Sequence, residues 1–328
     1  MITLLIVLGA LVLLVLLFLF VLSVAFFRNK KLADLQWTGF VPQRLSGIGS
    51  VKTLKVTPLI DWYVNDGALT GEAGVSWLVQ ADDKTILVDV GLNLKKEHPS
   101  PLLRNMQNLN VRLEDVGYVF ITHRHVDHTG GMAPQKIRTF MPSQAQIDLP
   151  HVIAFVPTPM QHPTAEVRLI EGPQVLMPGV ASEGPIARSI FGLMGLTKEQ
   201  ALVVNVAGKG LVIIVGCGHQ GLSRIIERAE KLFSEPIYGL VAGLHYPVTA
   251  SRLKKLGVPL QKFIGTGKPP WQRVTRDEVK ESIAFLKTRK PHFVSISAHD
   301  SCDWTLQEFR NAFKDSYRDL KVGLPLLF

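Results

Sequence analysis

Apolar residues fill positions 1–27, MITLLIVLGALVLLVLLFLFVLSVAFF, with no charged side chain and only Thr3 and Ser23 polar. A helix rising about 1.5 Å per residue over that length spans the roughly 30 Å hydrocarbon core of a bilayer. No basic segment precedes the run, the run outlasts a signal-peptide core, and SVAFF is a poor cleavage site. The pattern therefore predicts an uncleaved, single-pass transmembrane anchor. Positions 28–50 read as a juxtamembrane linker, and 51–328 as one domain. Within it, short apolar or alternating runs predict strands at 51–56, 76–80, 85–90, 118–122, 201–206, 211–215, 237–242 and 292–297. Asp82-Asp83-Lys84 and Ala207-Gly208-Lys209-Gly210 supply hairpin turns. Helical spacing appears at 99–109, begun by Ser100-Pro101, and at 222–233, 276–287 and 306–313. Positions 141–200, rich in Pro and Gly, read as an irregular covering insertion. Hairpins first, then alternating strands and helices, predict an α/β sandwich with two sheets inside and helices outside.

Charge refines this picture. Arg28, Lys30 and Lys31 follow the anchor and nothing basic but the α-amino group precedes it, which predicts the N-terminus outside and the domain in the cytoplasm. These three account for part of a net charge of +9. From 236 to 276 there is no Asp or Glu, against Arg252, Lys254, Lys255, Lys262, Lys268, Arg273 and Arg276. That stretch is either a solvated loop or a surface for anionic lipid or an anionic small-molecule substrate. No nucleic-acid-binding module accompanies the charge, so nucleic acid is not an expected partner. Two cysteines, Cys217 and Cys302, make no disulfide scaffold.

The densest chemistry is Thr122-His123-Arg124-His125-Val126-Asp127-His128, directly after a buried strand. His123 and His125, two apart, can point their rings one way, while Asp127 and His128 lie beyond the bend and can face a second position. Imidazole with carboxylate suits zinc, iron or manganese. A charged surface loop holding three histidines by chance is the bland alternative.

H-x-H-x-D-H followed by Thr-Gly-Gly resembles the signature of the metallo-β-lactamase superfamily. Leu87-Val88-Asp89-Val90-Gly91 resembles that superfamily's earlier strand-end aspartate. V-G-C-G-H-Q-G at 215–221 and A-G-L-H at 242–245 are similar to the branch related to dihydropterin–ribofuranosylaminobenzene phosphate synthase. The sequence departs from that branch at Gly218, at Ala242 and across Ala298-His299-Asp300-Ser301-Cys302. The resemblance covers roughly 74–313 and implies an αββα sandwich, here preceded by one transmembrane helix. It also implies two divalent metal ions, zinc first with iron or manganese as alternatives. The ligand set would be His123, His125, Asp127, His128, His219 and His299. His245 would ligate or contact substrate, and Cys217 would either stand in for a bridging carboxylate or be a small buried residue. His151 or His162 could supply the histidine that many relatives carry in the insertion.

Gly216, Gly218 and Gly221 also spell G-x-G-x-x-G, a dinucleotide fingerprint. That site wants an acidic residue about 20 positions on and belongs to a first βαβ unit. Neither holds here, so the glycines are read as a turn that brings His219 to the metals.

The implied activity is metal-dependent hydrolysis of an anionic substrate, a phosphate ester, phosphodiester or membrane lipid. Asp127 would ligate and accept a hydrogen bond from the nucleophile, and Asp89 would hold a ligand histidine in one tautomer. A transferase joining pterin and aryl-ribose-phosphate fragments, and a non-enzymatic metal-binding sensor, are the other classes.

Overall fold

Strands that are apolar at every position need cover on both faces. In the computed structural model, which describes residues 1–192 and 194–328, Leu202–Val206 and Gly210–Val215 are buried throughout. The first strands are β1 (Leu54–Ile60), β2 (Ser76–Ala81), β3 (Lys84–Val88), β4 (Tyr118–Phe120), β5 (Ile153–Val156) and β6 (Glu166–Leu169). There follow β7 (Gln174–Met177), β8 (Val180–Ser182), β9 (Ile186–Ile190), β10 (Gly195–Glu199), β11 (Leu202–Val206) and β12 (Gly210–Val215). The last are β13 (Ile237–Ala242), β14 (Lys254–Lys255), β15 (Val258–Pro259), β16 (Phe293–Ile296) and β17 (Leu326–Leu327). The helices are α1 (Ile2–Thr38), α2 (Pro101–Asn108), α3 (Met132–Lys136), α4 (Leu222–Leu232), α5 (Arg276–Lys287) and α6 (Asp303–Phe313).

One sheet runs β17-β1-β2-β3-β4-β5-β6, the other β16-β13-β12-β11-β8-β7, and β9–β10 and β14–β15 are separate hairpins. Trp77, Val79, Phe120, Val204, Val212 and Ile214 pack between the two sheets. The outer face of the second sheet buries Leu211 and Ile213 against Ile225 and Ala229 of α4, Val279 of α5 and Phe309 of α6. The outer face of the first presents Leu78, Leu87 and Val119 to Leu102 and Met106 of α2. The result is the four-layer αββα sandwich. Local chemistry sets the helix starts: Ser100 Oγ accepts from Leu103 N at 3.2 Å, and Thr275 with Glu278 closes a capping box on α5.

Strand β4 runs parallel to β3, and β13 runs parallel to β12 and β16. Open parallel strands gather ligand sites beyond their carboxyl ends, and the loops after β3, β4, β12, β13 and β16 meet at one edge of the sandwich.

Two segments differ from the sequence reading. The expected linker is helical to Thr38, because no helix breaker follows the apolar run until Gly39. This half of α1 docks on the domain. Phe26 and Ala33 are buried, Ser189 Oγ donates to Phe26 O at 2.9 Å, and Arg224 pairs with Asp34 at 2.7 Å. The part through Phe20 stands clear of the domain, long and apolar enough to cross a membrane. The insertion expected to be irregular carries β5 to β10, short strands separated by Pro and Gly turns that hid their periodicity.

Candidate metal centre

Each imidazole at this edge has one ring nitrogen fixed by a neighbour, which determines what the other can do. Gly265 O can only accept, so its 2.7 Å bond to His219 Nδ1 places the proton there and leaves Nε2 a bare lone pair. His245 Nε2 donates to Gln261 O and Ile264 O at 3.1 and 3.0 Å, leaving Nδ1 bare, buried and without a partner. His128 Nδ1 donates to Asp89 Oδ2 at 2.6 Å, and its Nε2 faces Cys217 Sγ at 3.0 Å.

Two hydroxyls settle two more. Thr122 Oγ1 gives its proton to Asp89 Oδ2 at 2.6 Å, so it accepts from His123 Nδ1 at 3.0 Å; His123 Nε2 is then buried with no partner. Ser297 Oγ gives its proton to Asp61 Oδ2 at 2.5 Å and accepts from His299 Nδ1 at 2.6 Å. His299 Nε2 therefore faces Cys217 Sγ at 3.3 Å. His125 Nε2 meets Thr197 Oγ1 at 3.0 Å, and its Nδ1 lies 3.1 Å from His219 Nε2.

These bare atoms converge. Asp127, His128, Cys217 and His299 form one cluster; His123, Cys217 and His219 a second; Cys217, His245 and Asp300 a third, with ligand atoms in each within 4.8 Å of one another. Cys217 is common to all three. Burial and the surrounding imidazoles push His123, His125 and His219 well below the ordinary histidine range, and burial does the same to His299. They are neutral, as metal ligation requires. Burial opposes charge on His128, yet the Asp89 and Asp127 carboxylates outweigh it and push its pKa up to about 9. Burial, together with Asp127, Asp300, Glu199 and Asp89, pushes the Cys217 thiol well up, a load that a cation would reverse. Lone pairs facing one another in a dry pocket, two with no partner at all, are what a divalent cation would satisfy. The donor set fits the group.

The loop after β12 carries two of these donors. A Cβ on Gly216 would lie 2.2 Å from Thr122 Oγ1, and Gly218 has φ +66. The first lets the turn press against the strand that carries the histidine motif, and the second is a left-handed turn that glycine adopts without strain.

The other candidate histidines lie elsewhere. His151 is exposed, His162 stacks on Phe140 and accepts from Ala165 N, and His98 and His292 are held by Ser143 and Tyr238. Sequence reasoning missed the support around the donors. Glu199, at the end of β10, is fully buried and accepts from Cys217 N, Gly218 N and His219 N, each at 2.8 Å. Burial still pushes its carboxyl up to about 7. Thr197, two residues earlier on β10, holds His125; Asp61 holds Ser297, and Asp300 Oδ2 accepts from His245 N at 3.0 Å. An acidic residue closing a hairpin strand was the available signal for Glu199, but its partners lie about 20 positions away.

The comparisons agree with this geometry. The family model described as Metallo-beta-lactamase superfamily matches residues 69–142, spanning Asp89 and the histidine motif. The chain is 27% identical over 271 residues to the 7,8-dihydropterin-6-methyl-4-(beta-D-ribofuranosyl)-aminobenzene-5'-phosphate synthase of Methanocaldococcus jannaschii, covering 68% of this chain and 90% of that one. Among solved structures, a metal-dependent hydrolase of the β-lactamase superfamily aligns with a TM-score of 0.58 at 20% identity, over 83% of this chain and 98% of its own. The metallo-β-lactamase fold protein YhfI of Bacillus subtilis aligns at 0.51 with 14% identity, over 84% and 100%. A motif matched over residues 69–142 and a sandwich shared over most of the chain give this protein the metallo-β-lactamase fold.

Proposed function

We propose that the chain is a membrane-held, metal-dependent hydrolase whose substrate is anionic, a phosphate ester, a phosphodiester or a lipid carrying one. The observation behind this reading is the convergence of ring nitrogens on Cys217, from His123 and His219 on one side and from His128 and His299 with Asp127 on the other, while His125 Nδ1 lies 3.1 Å from His219 Nε2. His123, His125 and His219 would hold one cation and Asp127, His128 and His299 another, with Cys217 between them and His245 and Asp300 alongside. Zinc is the first choice for this donor set, and iron or manganese share it. Bound divalent metal supplies Lewis acidity and makes hydroxide available near neutral pH.

The chain's own groups do the rest. Asp89 fixes one His128 proton on Nδ1, so a cation that displaces the other proton would find Nε2 as its ligand atom. Glu199 holds the 217–219 backbone in place, and Ser297, backed by Asp61, fixes the tautomer of His299. Asp127, partly exposed where its neighbours are buried, is the carboxylate that can take a proton from the attacking nucleophile. The domain lies on the cytoplasmic side in this reading, because the basic residues follow α1's apolar run rather than precede it.

The printed name of the Methanocaldococcus jannaschii relative favours a second reading, a synthase that joins a pterin-like to an aryl-ribose-phosphate fragment. Product analysis by mass spectrometry on metal-loaded protein separates the two. Cleavage of esters or phosphodiesters is expected; turnover that only joins fragments, or none across a broad ester, phosphodiester and lactam panel, removes the hydrolase reading.

A further inference from the structure

His219 and His245 form one wall of a cavity of about 410 Å³, whose opposite parts come from β9, from the start of α4 and from the 265–268 loop. Arg188, from β9, lines it. The Arg188 Nε is buried with no hydrogen-bond partner, and the guanidinium makes no ion pair among the described residues. A Cβ on Gly267 would lie 2.4 Å from that Nε, so the loop backbone packs directly on the guanidinium. That loop belongs to the stretch without Asp or Glu from 236 to 276 and brings no carboxylate of its own to Arg188; Asp34, the acid nearest in effect, is paired with Arg224.

A second donor group faces the same space. Gly221 caps α4 with φ +90 and no side-chain hydrogen bond, and Gly221, Leu222 and Ser223 all line the cavity. Gly221 N donates to Gly218 O, and the first backbone bond into α4 is Ile225 N to Gly221 O, which leaves the N–H groups of Leu222, Ser223 and Arg224 at the positive end of the helix dipole. His245 lines the cavity too, but its bare Nδ1 belongs with Cys217 and Asp300 and donates nothing to an anion. Two carboxylates reach the lining: Glu278 is tied to Lys268 and to the α5 capping box, and Glu281 is solvent-exposed.

A planar guanidinium without a partner, beside uncapped helix N–H groups, is a recognition set for a tetrahedral oxyanion. We propose that this cavity is an anion subsite, in which Arg188 and the N-terminus of α4 hold the substrate's phosphate group beside His219 and His245. It rests on the hydrolase reading for the chemistry next door, but the binding stands by itself. The glycine loop would thus serve both sides, Cys217 and His219 toward the metals and the helix start toward the anion.

The test is titration of inorganic phosphate into the full-length chain in nanodiscs by calorimetry, comparing wild type with Arg188→Gln, Arg188→Lys and the metal-depleted His123→Ala. Losing one charge-assisted contact on this scale weakens binding about tenfold or more. The expected result is that loss in Arg188→Gln with metal content as in wild type, a smaller loss in Arg188→Lys, and retained binding in His123→Ala. Phosphate affinity unchanged in both Arg188 variants, or abolished in His123→Ala alone, would place the anion on the metals and overturn the subsite. If Arg188→Gln does not fold, Arg188→Lys, which keeps the charge and loses the fork, carries the comparison. Glycerol phosphate and a short-chain phosphatidic acid, used as competitors, tell a soluble ester from a lipid headgroup; displacement by neither would also overturn the proposal. Phosphate bound normally with no ester turned over would remove hydrolysis and leave the subsite in place.

Discussion

Replacing Glu199 by Gln keeps the size of the side chain and removes one acceptor from a buried site. In the native geometry Oε1 accepts from Cys217 N and Gly218 N, and Oε2 accepts from His219 N, all at 2.8 Å. An amide can keep its oxygen on the first pair, but its NH2 then meets the N–H of His219, donor against donor. Turning the amide over is worse, since two N–H groups then lose their acceptor. The His219 N–H and the amide NH2 are left unpaired in a buried site, at about 1–3 kcal/mol each. A net loss of about 2–4 kcal/mol follows, or roughly 4–16 °C in Tm at the scaling for domains of this size. Because the same loop carries Cys217 and His219, metal affinity should fall about 10–100-fold, the range for supporting residues around ligands. Thermal melts of metal-free protein and competition titration with a chelator read the two effects separately. A Glu199→Gln variant with wild-type Tm and wild-type metal affinity would refute the role given to Glu199.

Gly216→Ala should destroy the site rather than weaken it. The new methyl would sit 2.2 Å from Thr122 Oγ1 and 2.8 Å from its Cβ, and overpacking a rigid buried contact costs about 1–3 kcal/mol or more, so metal content and near-ultraviolet circular dichroism should both collapse. Asp61→Asn addresses pH. Burial raises the Asp61 pKa from 3.8 to about 6, so the native state holds the extra proton between those values. Its contribution to stability is therefore fully present below about pH 4 and lost as pH rises to about 6, by up to roughly 3 kcal/mol at 1.36 per unit. Urea unfolding of wild type minus Asp61→Asn should show that slope between pH 4 and 6; a pH-independent difference would count against it.

Much of the fold could be read because its signals are local. The hairpin at Asp82-Asp83-Lys84, the Ser100 cap and the strands entering the histidine motif and the 216–221 turn depend on neighbours a few residues away. The histidine motif was legible because His123, His125, Asp127 and His128 crowd one turn. What escaped notice depends on distance in sequence. Asp61 reaches Ser297 from the far side of the chain, and Glu199 reaches the 217–219 turn across a strand and a hairpin. Strands of three to five residues among prolines, β5 to β10, are too short to show a period. The helix runs on past Arg28 into the expected linker, because charged residues do not stop a helix; Gly39 does. The unpaired guanidinium of Arg188 had no signature at all, since an arginine in a strand looks like any exposed one.

The most direct measurement is elemental analysis of the full-length chain, purified under metal-replete conditions, beside its His123→Ala variant. Bound divalent metal, about two ions per chain, is expected in the first and a marked depletion in the second. No metal in the wild type, or the same content in both, would contradict a shared cation site among His123, His219, Cys217 and their neighbours.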